Sequence, residues 1–179
     1  DRNYALYVIG VEGFDDGSSV DYEYRGFRTA SAPDTAAPQI SAYSIDADQT
    51  SVPINVQLQV QFDEAVNGLN LDGVELRKGN EVIAVARELS GDHKTLTLKL
   101  TQLLLANTTY TLHVEGVEDL SGNVLAHSVD RSFTTGAGAD LVAANVVQYS
   151  PTDNAGDVDI NTQVAIEFSE RLNPLSVNA

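Results

Sequence analysis

Three aspartates stand where this chain could hold a cation. Asp119, Ser121 and Asn123 alternate within Asp119-Leu120-Ser121-Gly122-Asn123, and alternating oxygen-bearing side chains of this kind open calcium loops. No glutamate follows at the distance such a loop needs for its bidentate ligand. Asp34 and Asp140 sit at matching places in two short stretches of small residues, glycine and proline, where an ion would clamp the segments on either side. Asp153, Asp157 and Asp159 make a further acidic loop. A hard cation takes about six to eight oxygens, so each cluster would need main-chain carbonyls as well. The competing reading is a turn or linker residue chosen for backbone geometry, because Asp and Asn bond their own main chain two residues on. Asp34, Asp140 and Asp119 are therefore the candidate metal ligands, with Ca2+ as the ion. No motif requires a cofactor.

Other chemistries find little support. His93, His113 and His127 are read in a turn, on an outward strand position and in a loop. They show neither the spacing of a zinc helix nor a nucleophile with its base. No glycine-rich loop leads from a strand into a helix to cradle phosphate. No catalytic residue is assigned, and the chain is read as non-enzymatic. Asn107-Thr108-Thr109 fits a glycosylation acceptor, though a turn explains it as well. With 26 acidic against 10 basic residues the net charge is −16. That argues against nucleic acid as a partner, since phosphate contacts need clustered Lys and Arg. The absence of cysteine removes disulfides and thiolate sites. No apolar run approaches the roughly 20 residues of a membrane helix, so no membrane insertion is expected here. The chain begins at Asp1 and contains no methionine, and is read as part of something longer.

The elements that must position these residues are strands. A shift of 106 positions places Tyr4 on Tyr110, Val8 on Val114, Gly10 on Gly116 and Phe27 on Phe133. The same shift carries Asp34 onto Asp140, Tyr43 onto Tyr149, Phe62 onto Phe168, Glu64 onto Glu170 and Leu69 onto Leu175. The matches fall on the apolar face of alternating segments, the mark of a tandem repeat. Residues 1–30 are read as the end of one repeat, 34–136 as a complete repeat, and 140–179 as the start of the next. Within the complete repeat, strands are expected over 39–44, 56–62, 74–77, 82–89 and 95–100, then over the two arms around Asp119. Lys78-Gly79-Asn80 reads as a hairpin turn, and Tyr110 as a tyrosine corner bonded to nearby backbone. About seven short strands with frequent turns predict an all-β protein of tandem antiparallel β-sandwiches joined end to end.

Several motifs in this order resemble the bacterial Ig-like repeat domains of S-layer and other large surface or adhesin proteins. They are Val52-Pro53-Ile54-Asn55, Val60-Gln61-Phe62-Asp63-Glu64, Leu105-Ala106-Asn107-Thr108-Thr109-Tyr110, Asp119-Leu120-Ser121-Gly122-Asn123 and Phe133-Thr134-Thr135. The first piece departs from the pattern, with Gly13-Phe14-Asp15-Asp16-Gly17 in place of the Asp119 turn. The resemblance implies an Ig-like fold, an extracellular or cell-surface location and a structural role as spacer, stalk or building unit. Its partners would be neighbouring repeats of a longer chain, with self-assembly among copies. Two other roles stay open: an adhesin segment that binds carbohydrate or protein through loops at one end, and an accessory domain of a secreted enzyme. Phe14, Tyr22 and Tyr24 are the aromatic residues that favour the adhesin.

Overall fold

The computed structural model describes residues 1–13, 17–20 and 22–177, so Phe14, Asp15, Asp16 and Asp21 lie outside the described residues. The chain divides into two units, residues 1–36 and 37–179. In the first, β1 (Asn3–Val8) pairs antiparallel with β4 (Glu23–Arg28), and β2 (Val11–Glu12) with β3 (Ser19–Val20). Tyr4 stacks on Phe27 across the β1–β4 pair, with ring centroids 5.5 Å apart.

The second unit is built from period-two segments whose apolar side chains need a facing layer. Its strands are β5 (Ile40–Tyr43), β6 (Gln49–Val52), β7 (Leu58–Phe62), β8 (Val74–Lys78), β9 (Glu81–Ile83), β10 (Val85–Leu89), β11 (Thr95–Leu100), β12 (Thr109–Val114) and β13 (Val129–Thr135). They form one sheet of order β10-β11-β7-β5 and a second of order β6-β13-β12-β8-β9. Leu58, Val60, Phe62, Leu96 and Leu98 of the first sheet meet Val74, Leu76, Tyr110, Leu112, Val114 and Phe133 of the second, all buried. Each such aliphatic or aromatic side chain contributes about 1.5–3 kcal/mol by leaving water. A two-stranded hairpin of β14 (Val146–Ser150) and β15 (Ala165–Phe168) follows, then a 3-10 turn at Pro174–Ser176.

The sandwich differs from the expected seven strands in two places. The segment 82–89 reads as one strand but breaks at Ala84, so that β9 joins one sheet and β10 the other. The pair β5 and β6 does the same at the opposite edge, and β6 runs parallel to β13. The crossings keep every edge strand of the sandwich short, at three to five residues, which limits stray pairing.

The 106-residue shift is kept in the pairing itself. Tyr4 faces Phe27 as Tyr110 faces Phe133, and Val146 faces Phe168 as Ile40 faces Phe62. The register slips at the same point in β5–β7 and β14–β15, after Ile40 and after Val146. Gly10 and Gly116 both take a left-handed conformation, at φ of 64° and 65°, which a glycine adopts without steric cost. Gly73 is needed for a different reason: a Cβ there would lie 2.0 Å from the Glu115 carbonyl oxygen.

Candidate functional site

The sequence-chosen residues take up different jobs in the fold. Tyr110 is the second residue of β12, and its hydroxyl accepts the Leu105 amide proton at 2.9 Å. That contact is the expected tyrosine corner. Leu104 beside it is buried, whereas Leu103 and Leu105 remain exposed, so one leucine of the three plugs this end.

Asp119 is a turn anchor. Its Oδ1 accepts the amides of Ser121 at 2.7 Å and Asn123 at 2.8 Å, and its Oδ2 accepts the Asn123 side-chain amide at 2.7 Å. Burial pushes its carboxyl up, but the bonds from Asn123, Ser121 and Gly122 outweigh that and hold it below the usual carboxylate range. A carboxylate oxygen of Glu64 comes within 4.8 Å of one of Asp119. Asp34 accepts the Ala36 amide at 3.0 Å, and Asp140 accepts the Val142 amide at the same distance. Both residues therefore make the same local turn.

Asp140 also lies at a built junction. Asn55 grips its main chain in both directions, donating from Nδ2 to the Asp140 carbonyl at 2.6 Å and accepting the Asp140 amide at 2.9 Å. Ile54 donates to the Gly138 carbonyl at 3.2 Å. Arg171 pairs with Asp46 at 2.7 Å, and Asn173 Nδ2 donates to Gln59 Oε1 at 2.6 Å. Between these contacts is a cleft of about 370 Å³ that Ser44, Val52, Gln57, Asp140, Glu170 and Leu172 help to line. The Asp140 and Glu170 carboxyls both line it. The Val142 amide and the neighbouring Glu170 carboxyl hold Asp140 down, while the Asp140 carboxyl and burial push Glu170 up. This donor set fits a hard cation in part, with two carboxyls; Asp119, another candidate, stands elsewhere beside Glu64 and does not line this cleft.

His113 shares the outward face of β12 with Thr109 and Thr111, as alternation predicts, yet it is only 7% exposed. Its Nδ1 lies 2.6 Å from Asp130 and its Nε2 3.2 Å from Glu115, so acidic neighbours cover the ring. Thr109–Thr134, Thr111–Ser132 and Glu75–Arg77 contacts continue the same polar face. In the first unit the shift puts Tyr7 and Tyr24 at the positions of His113 and Asp130. There the pair is aromatic, with centroids 5.4 Å apart, and Tyr22 stands 6.1 Å from Tyr7. His93 and His127 are exposed, and among the described residues no histidine joins a cluster of metal-ligating side chains. An apolar groove of about 520 Å³ runs along Ile40, Tyr43, Leu125 and Val129. Arg131 lies 4.0 Å over the Tyr43 ring. Burial raises the Tyr43 hydroxyl pKa, partly offset by that guanidinium.

The sheet β5-β7-β11-β10 matches the A-B-E-D sheet of the immunoglobulin-type sandwich, facing β8, β12 and β13 as C, F and G, with the tyrosine corner at the start of β12. A family model described as bacterial Ig-like domain matches residues 34–135, and the chain belongs to that family. The S-layer protein of Geobacillus stearothermophilus is 29% identical over 143 residues, which are 73% of this chain and 11% of that protein. The outer cell wall protein of Brevibacillus brevis is 29% identical over 154 residues, 82% of this chain and 14% of that protein. The chain thus spans 11% and 14% of the length of these relatives. Among solved structures, CopC from Methylosinus trichosporium OB3b aligns at a TM-score of 0.48 and 13% identity, over 59% of this chain and 99% of its own.

Proposed function

We propose that this chain is a non-catalytic structural segment of a cell-surface protein, a stiff run of Ig-like repeats that acts as spacer or building unit. The observation that carries it is the Asn55–Asp140 grip, which fixes the chain where one repeat passes into the next. A linker meant to swing would leave its main chain to solvent. The S-layer and outer cell wall relatives support the surface location. A divalent cation belongs to the same proposal. At the junction it would bind between Asp140 and Glu170 and stiffen the joint. Melting in millimolar Ca2+ against chelator tests that part: the midpoint rises with the ion, and an unchanged midpoint removes it. A screen of the chain against glycans and matrix proteins tests the rest. No saturable binding is expected, and a specific saturable ligand would replace the spacer with an adhesin.

A further inference from the structure

The turn that docks the last segment occurs twice in the chain, once covered and once bare. Asn173 Oδ1 accepts the Leu175 amide at 3.0 Å, and its carbonyl accepts Ser176 at 3.0 Å. The 3-10 turn at Pro174–Ser176 lies against β5, and Leu175 is partly buried. The 106-residue shift carries Asn173 and Leu175 onto Asn67 and Leu69. The local geometry there is the same: Leu69 donates to Asn67 Oδ1 at 3.0 Å, and Asn70 to the Asn67 carbonyl at 3.2 Å. Yet Leu69 is 96% exposed. An Asx turn holds a bare leucine fixed in water, where its burial by another surface would be favourable.

We infer that Asn67 and Leu69 form a docking surface for a second copy of the face made by β5 and Gln59, supplied by a preceding repeat of the same array. The structure shows that face taking an Asn–Leu turn already, with Asn173 on Gln59 and the Leu175 turn on β5. Asn67 and Leu69 would use it the same way. The contact is head to tail and does not close on itself, so each added repeat extends a rod. Ala65 stands where Arg171 pairs with Asp46, so the shared element is the Asn–Leu turn and not the ion pair. The inference rests on the reading of the chain as a stiff array.

The chain has no cysteine, so a single introduced thiol reports exposure cleanly. In the 179-residue chain, Leu175→Cys should react with a maleimide roughly tenfold more slowly than Leu69→Cys, because the docked turn covers part of it until it opens. In a longer chain with residues 34–139 duplicated in tandem, Leu69→Cys in the second copy should slow to the Leu175→Cys rate. The same substitution in the first copy should stay fast. Amide exchange at Leu69 in the duplicated chain without a thiol should show the same protection. Equal rates for the two substitutions in the 179-residue chain would overturn the joint, and with it both the stiff array and the docking surface. A slow Leu175→Cys beside a fast second-copy Leu69→Cys would overturn the docking surface alone.

Discussion

The Tyr110 hydroxyl accepts the amide proton of Leu105 at 2.9 Å, tying the start of β12 to the segment five residues before it. Removing the hydroxyl leaves that amide without its partner while the stack on Phe133, at 5.8 Å, is kept. Tyr110→Phe should therefore lower the unfolding free energy by about 1–2 kcal/mol. Urea denaturation would show a lower midpoint at an unchanged slope.

Gly73 and Glu115 approach as backbone to backbone. The Glu115 amide donates to the Gly73 carbonyl at 3.0 Å, and an added Cβ would fall 2.0 Å from the Glu115 oxygen. Neither partner is a flexible side-chain end that can turn aside. Gly73→Ala should cost about 3 kcal/mol or more, in the range of overpacking and backbone displacement. Thermal melts of this variant beside Gly91→Ala, where a Cβ meets nothing within 4 Å, would separate the clash from a general glycine effect.

The Asp140–Glu170 pair makes the junction sensitive to pH. Glu170 has a raised pKa in the fold, so its contribution is present below its unfolded value and lost as pH rises through the folded one. Asp140 has a depressed pKa, so its contribution is present above its unfolded value and lost as pH falls through the folded one. The pair thus contributes most between the two folded values. Carboxyl carbon NMR should show Glu170 titrating above an ordinary glutamate and Asp140 below an ordinary aspartate. Glu170→Gln, which can donate to Asp140 at any pH, should remove the neutral-side weakening of the junction.

Asp119 should behave in the opposite sense to Glu170. Its depressed carboxyl contributes stability above the unfolded aspartate value, and that contribution is lost as pH falls through the folded one. Asp119→Asn should melt several degrees lower at neutral pH, with a flatter decline on acidification than the natural chain shows.

Local patterns in the sequence carry the strands but not the places where the chain changes sheet. Leu58, Val60 and Phe62 announce β7 by strict alternation, and the repeat announces the registers of β1–β4 and β14–β15. The break at Ala84 leaves no mark, because Val82 to Leu89 keeps the composition of one strand on both sides of it. The β6 strand is equally hidden: Gln49-Thr50-Ser51-Val52 has one buried apolar residue and a left-handed Ser51 at φ 58°. Burial of His113 depends on Asp130, across the strand pair, and Glu115, which period two alone does not place over a ring. Nothing local marks Asn55, since its partner Asp140 lies 85 residues away. Asp34, Asp119 and Asp140 stood out for their spacing, yet the pairing of Asp140 with Glu170 needs the tertiary fold.

The stiffness of the junction can be measured directly with backbone residual dipolar couplings from residues 37–136 and 140–177. If Asn55, Gln59 and Asp46 hold the following segment as described, both sets fit one alignment tensor, and Asn55→Ala splits them into two. Two different tensors in the natural chain, with the second near zero, would mean a freely swinging linker and would contradict the array proposed here.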